Sequence, residues 1–445
     1  MIKFDILFYI YKFTDHDASI NIISSNKKLA IYIRKYEKND HYLHFADLAT
    51  VIQCDPIKSD KYNKYSFSNL LSSISINNNQ IKYDTMRAPD KAPGAKLSFA
   101  AVLPHNELFI SACYNGLIKL AKKILSLKNE NIDITAHYNY AIIWACANGH
   151  LEMVKFILSL KSTYPKIDIS AQNNYAIIGA CANGYIDMIK FILSIRDEYP
   201  GIDITAQNNE AIILACENGH IDVVKYIVSL KSTYPKIDIS AQNNYAIRYA
   251  CRNGHIDIVK FILSLKADHP EWNIDITAQN NEAIIVACAN GHIDMIKFIL
   301  SIRDEYPGID ITAQNNEAII LACKNGYIDI VKYILSIRDE YPGLDITAQN
   351  NEAIISACIN SHIDMVKFIL SLKSDHPEWN IDITAQYNYA IIRACTNGHI
   401  DVVKFILSLY DPLISNIEFI NNHLISNCTI DIKKYLIKYM DQIIN

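Results

Sequence analysis

The side chains that could carry chemistry here recur on a fixed spacing. Nine cysteines (Cys113, Cys146, Cys181, Cys216, Cys251, Cys288, Cys323, Cys358, Cys395) each stand three residues before a glycine or its substitute Ser361. His150, His220, His255, His292, His362 and His399 each stand one residue after it, with Tyr185 and Tyr327 in two further copies. Rows of cysteine and histidine suggest disulfides or metal ions, but one residue per repeat places neighbours on separate packed helices. Such helices lie about 8–10 Å apart, whereas a disulfide needs Cα atoms within about 7 Å, and one metal ion needs its ligands closer still. Cysteine is then expected as a small buried hydrophobe in a reducing compartment, and histidine as a helix cap or an inter-repeat hydrogen-bonding group. The sequence has no Gly-rich phosphate loop, HExxH or Ser/His/Asp set. No catalytic residue, cofactor or metal is expected, and the chain is not read as an enzyme.

The elements that position these rows follow from the stretch Gly201 to Lys236. Ala211, Ile212, Ala215 and Cys216 give one apolar face to a short helix over Glu210 to Asn218. Gly219 can take the left-handed conformation that ends it. Ile221, Val223, Val224, Ile227, Val228 and Leu230 form a second helix, with Asp222 in its first turn and Pro235 beyond its end. Neither helix is long enough to be stable alone in water. The unit recurs with glycines at Gly116, Gly149, Gly184, Gly219, Gly254, Gly291, Gly326 and Gly398 and with Ser361, spaced 33, 35, 35, 35, 37, 35, 35 and 37 residues. Such a period predicts a stack in which each unit buries its neighbour's apolar face.

These residues resemble the ankyrin repeat. Cys216 stands in the second alanine slot of the family pattern, Gly219-His220 matches its Gly-His pair, and Val223-Val224 and Ile227-Val228 match its apolar pairs. The family's Thr-Pro-Leu-His has drifted to Glu210-Ala211-Ile212-Ile213, and Asn208 replaces the turn glycine. That drift is expected to cost the hydrogen bonds that Thr and His supply between units. The resemblance implies an all-α solenoid of helix-turn-helix units with β-turn or hairpin tips, nine of them over 97–410. Residues 411–445 read as a degenerate tenth unit capping the stack, its lysines Lys433, Lys434 and Lys438 facing water. Residues 1–96 lie outside the period and hold either degenerate repeats or a small separate domain. Met86–Lys96 is the candidate boundary, and Phe45–Ile52 a candidate helix.

The net charge of -5 gives no field that would draw the protein to nucleic acid or an anionic bilayer. No run of 18 apolar residues predicts a membrane span. The N-terminal stretch carries Asp5 within its apolar patch and is not read as a signal peptide. The longer linkers after the second helices bring Tyr164, Tyr199, Trp272 and Trp379, expected to cover apolar edges of the stack.

In the family, turn tips and first helices line a concave protein-binding face. Variety here sits two, five and nine residues before each glycine, a stripe rich in tyrosine, tryptophan and arginine of the kind that forms hot spots. The candidate partner-binding residues are Tyr138, Tyr140, Trp144, Tyr175, Glu210, Tyr245, Arg248, Tyr249, Arg252, Glu282 and Arg393. Arg248 replaces an isoleucine found in every other copy. It is expected as an open basic spot, flanked by Glu210 and Glu282, that could seat an acidic or aromatic peptide. Asn209 and its equivalents are expected to cap the first helix. The function expected is non-catalytic protein binding. Its alternatives are a structural or self-assembling array, and an adaptor to a host degradation complex, for which neither terminus shows a matching box. Block duplication and an Ile/Asn/Lys/Tyr-heavy composition resemble the multi-ankyrin proteins of giant DNA viruses of amoebae, of the mimivirus type. That likeness implies host proteins as partners and the host cytoplasm as location.

Overall fold

The computed structural model describes residues 74–77, 80–83, 105–126, 132–409, 420, 424–425 and 428–444. The boundary expected at Met86–Lys96 and the helix expected at Phe45–Ile52 lie outside them. Strands β1 (Ile74–Asn77) and β2 (Gln80–Tyr83) form an antiparallel hairpin pairing Ile74 with Tyr83 and Asn77 with Gln80. The aperiodic sequence there had given no sign of it.

The chain divides into two compact units, Met1–Ala206 and Gln207–Asn445. The first contains α1 (His105–Tyr114), α2 (Ile118–Ser126), α3 (Ala136–Ala147), α4 (Leu151–Ser159), α5 (Ala171–Ala182) and α6 (Ile186–Ser194). First helices pack side by side, α1 on α3 and α3 on α5, and each second helix folds back on its own first helix. The other unit opens with α7 (Ala206–Glu217) and α8 (Ile221–Ser229). It continues through α9 (Ala241–Arg252), α10 (Ile256–Asp268), α11 (Ala278–Ala289), α12 (Ile293–Ser301), α13 (Ala313–Lys324) and α14 (Ile328–Ser336). Then come α15 (Ala348–Ile359), α16 (Ile363–Asp375), α17 (Ala385–Asn397), α18 (Ile400–Leu409) and α19 (Ile430–Ile444). Within it α9, α11, α13, α15 and α17 pack in sequence.

The expected start of the template helix at Glu210 survives in detail. Gln207, Asn208 and Asn209 at the head of α7 have φ of 52°, 55° and 68°, so right-handed helix begins at Glu210. The same left-handed triplet opens α3, α5, α9, α11, α13, α15 and α17. The tips are therefore tight left-handed turns, and no strand is assigned among the described residues from 105 to 444. Each non-glycine residue in this region costs about 1–2 kcal/mol, asparagine least. Side-chain bonds to the next repeat offset that cost.

The core of each repeat is its predicted apolar face: Ala211, Ile212, Ala215 and Cys216 are at most 1% exposed. Gly219 ends its helix at φ 83°, and a Cβ there would lie 2.7 Å from the His255 ring of the next repeat. Tyr199, Trp272 and Trp379 are buried as expected, while Tyr164 is half-buried. Trp272 Nε1 donates to the Ile237 carbonyl at 3.1 Å. The second helices carry a ladder that the sequence reading missed. Lys260 stands over Phe298, Lys297 over Tyr333, Lys332 over Phe368 and Lys367 over Phe405, 5.3–5.6 Å from each ring centroid. In the stretch expected to cap the stack, α19 buries Ile432, Leu436 and Met440 and exposes Lys433, Lys434 and Lys438. Most of the first helix expected there lies outside the described residues.

Candidate functional site

The side chains that hold the repeats together identify, by subtraction, those left to meet a partner. Asn209 does not cap its own helix. Its Oδ1 accepts from the Asp238 N–H at 3.0 Å and its Nδ2 donates to the Lys236 carbonyl at 3.3 Å, both in the next repeat. Asn244, Asn281, Asn316 and Asn351 repeat both bonds, and Asn174 does so in the first unit. The side-chain amide thus pairs with the neighbouring backbone as a peptide group would. The receiving aspartate is itself fixed, since Asp238 Oδ1 accepts from the Ser240 N–H and hydroxyl. These bonds replace the ones that drift of the Thr-Pro-Leu-His stretch was expected to lose.

Two further rows are consumed in the same way. Gln242, Gln314, Gln349 and Gln386 donate through Nε2 to carbonyls in the preceding tip, as in Gln314 to Asn280 at 3.1 Å. The histidine row bonds backward, with Nε2 of His150 to the Tyr114 carbonyl (2.8 Å), of His255 to that of Glu217 (3.1 Å) and of His399 to that of Ile359 (2.8 Å). Their helices show no side-chain cap bond from His150 or His255, so the inter-repeat role is the one observed. Burial lowers the pKa of His150 and His255 and favours the neutral ring. Burial also raises the thiols of the cysteine row, Cys358 and Cys395 to about 12, which leaves them unreactive. Among the described residues no group of His, Cys, Asp or Glu is placed to hold a metal ion.

What remains is the stripe of variable first-helix positions and the tips. In the Met1–Ala206 unit, Trp144 on α3 sits among aromatic rings. Its centroid is 5.8 Å from Tyr114, 6.4 Å from Tyr140 and 6.0 Å from Tyr175, the last two edge-on. Burial raises the Tyr175 pKa. Tyr138, at the tip, is 77% exposed in a left-handed conformation. Tyr140, Trp144 and Tyr175 thus form one aromatic cluster with Tyr114.

In the Gln207–Asn445 unit, Tyr245 stacks on Tyr249 with centroids 3.7 Å apart and rings 7° from parallel, and the Arg252 guanidinium stands 5.2 Å from the Tyr249 centroid. Glu210 accepts from Gln242 Nε2 at 3.1 Å. Arg248 departs from the expected open basic spot. It is buried, its Nη1 is paired with the Glu282 carboxylate of the next repeat, and it stands 5.5 Å from the Tyr245 centroid. A guanidinium in an isoleucine slot needs that carboxylate, because an unpaired buried charge is far costlier than a paired one. Its charge serves the stack. An open groove between α11 and α13 is lined by Glu282, Ile285, Glu317, Leu321 and tip amides. Arg393 stands 5.9 Å from the Tyr389 centroid, near the exposed Tyr387 tip.

A family model described as ankyrin repeats (3 copies) matches residues 108–208, 197–271 and 269–350, and one described as ankyrin repeats (many copies) matches 354–407. A search of curated proteins finds no match. The matched segments span more than half of the sequence and coincide with the stacked helix pairs, so the chain belongs to the ankyrin repeat family.

Proposed function

We propose that this protein is a non-catalytic binder of other proteins, using the first helices and left-handed tips of each unit. One observation carries the reading. Positions identical from repeat to repeat spend their polar groups on neighbouring repeats, whereas the variable ones, two, five and nine before the glycine, gather into aromatic and charged patches. Ankyrin repeats generally mediate protein–protein interaction, which supports the coarse reading. A host protein as partner, met in the host cytoplasm, is the finer proposal and rests on the likeness to giant-virus multi-ankyrin proteins. Among the described residues no helix is long and apolar enough to cross a membrane.

Affinity capture from an amoebal lysate, followed by mass spectrometry, tests this with full-length protein and with Tyr249→Ala and Arg252→Ala. Both residues lie on the surface stripe and outside the inter-repeat bonds described above. The reading predicts partners retained by the parent and released by the variants. An unchanged partner set from both would remove the Tyr249–Arg252 patch as the site.

A further inference from the structure

The open groove between α11 and α13 lies where a repeated bridge is missing, and its lining selects a visitor; this inference rests on the protein-binding reading. At three other junctions of the Gln207–Asn445 unit, a glutamine of the following tip closes over the preceding first helix. Gln242 Nε2 donates to Glu210 at 3.1 Å, Gln349 Nε2 to Glu317 at 3.1 Å and Gln386 Nε2 to Glu352 at 3.4 Å. Gln314 holds the same position above α11, but its Nε2 donates to the Gln279 and Asn280 carbonyls alone, at 3.2 and 3.1 Å. The glutamate it would meet, Glu282, is turned back to Arg248 of the preceding repeat. The singular arginine thus removes the bridge, and the groove stands open at this junction.

Ile285 and Leu321 give the groove apolar walls, and the half-buried Glu282 and Glu317 supply two carboxylates. Gln349 occupies one oxygen of Glu317, and Arg248 one of Glu282. Each carboxylate therefore has a single oxygen left for a visitor. The Arg248–Glu282 pair is neutral, so the groove carries the negative charge of Glu317. A guanidinium is held best by both oxygens of one carboxylate, as a fork. An ammonium, with three rotatable donors on an apolar stem, suits single acceptors on two separate helices beside apolar walls. We propose that the groove receives a lysine side chain of the partner protein, its methylenes along Ile285 and Leu321 and its ammonium donating to Glu317 and Glu282.

Saturation-transfer NMR on the full chain at physiological ionic strength reads the binding from the signals of a capped Gly-Lys-Gly peptide. Capped Gly-norleucine-Gly keeps the stem without the charge, and capped Gly-Arg-Gly keeps the charge on a different head. The lysine peptide should saturate, with the norleucine peptide at least tenfold weaker and the arginine peptide severalfold weaker. Glu317→Gln should weaken the lysine peptide at least tenfold and Leu321→Ser severalfold. Both should melt close to the parent, because other repeats carry tyrosine in the first position and serine in the second. Glu352→Gln should leave binding unchanged, since Ser356 and Gln386 engage both oxygens of that carboxylate outside the groove. Equal binding of norleucine or arginine, indifference to Glu317→Gln, or no saturation by about 20 mM would overturn the proposal. So would an equal loss in Glu352→Gln, which would assign the attraction to the acidic stripe as a whole. If the lysine peptide fails while Tyr249→Ala and Arg252→Ala still release captured proteins, only this inference fails. If capture returns no partner at all, the protein-binding reading fails, whatever the peptides show.

Discussion

At the scale of single residues, the same side chain means different things according to what its neighbour supplies. Arg248 reads in the sequence as a recognition residue because it is singular, and the structure shows it neutralised by Glu282. Arg248→Ile restores the residue of every other copy and is expected to cost little. Glu282→Ala strands the guanidinium and should cost about 2–3 kcal/mol, below the usual buried-pair figure because the Glu282 side chain is 29% exposed. Urea denaturation of the two variants measures the contrast. Asn316→Ala removes two inter-repeat bonds, to the Asp345 N–H and the Gly343 carbonyl, and should lower stability by about 1–3 kcal/mol. An effect within error would mean that water replaces the side chain.

The pH response belongs to this scale as well. Burial holds the pKa of His150 and His255 below the ordinary histidine value. The unfolded chain then takes up protons first as pH falls through about 6.5, and the folded state follows only at lower pH. Stability contributed by these neutral rings is full above that value and is lost as pH drops toward the folded pKa. The melting temperature should fall between pH 7.5 and 5.5. The double variant His150→Tyr, His255→Tyr should fall less, since tyrosine occupies this position at Tyr185 and Tyr327.

At the scale of elements, the helix pairs were legible because their signals are local. Apolar spacing, a terminating glycine and an acidic first turn each act within a few residues of where they are written. The tips were not legible. Three successive left-handed residues at Gln207, Asn208 and Asn209 are held by partners about thirty residues away, at Lys236, Asp238 and Gln242. No propensity within the triplet announces them. The invariance of Asn209 and Asp238 from repeat to repeat is the available clue, but the residue type of Asn209 points equally to a helix cap. The candidate site divides likewise: residue types single out Tyr138, Tyr140 and Trp144 as one place, whereas the edge-on contact of Trp144 with Tyr175 of the next repeat depends on how the first helices stack. The helix-ending slot yields its own prediction. Ser361 takes φ 65° where the other repeats have glycine, so Ser361→Gly should stabilise by about 1 kcal/mol, read from the urea midpoint. A lower midpoint would show that the serine side chain contributes more than its strained backbone costs.

At the scale of the whole molecule, each unit joins identical bonding rows to a stripe of dissimilar side chains. Repetition solves the folding problem, since a two-helix unit too short to stand alone is completed by the next one. Variation in the first helices then changes what is contacted while the Asn209-type bonds between repeats are kept. The second helices, with lysines laid over the next repeat's aromatic rings, are themselves nearly uniform, and a surface so repetitive offers little to distinguish one partner from another.

Hydroxyl-radical footprinting of the full chain, alone and with a captured partner, examines that division of labour most directly. The account predicts reduced labelling at first-helix and tip aromatics such as Tyr138, Tyr175, Tyr249 or Tyr389, with Phe298, Tyr333 and Phe368 on the second helices unchanged. Protection of the second-helix rings, with Tyr138 and Tyr249 labelled as in the free protein, would contradict it.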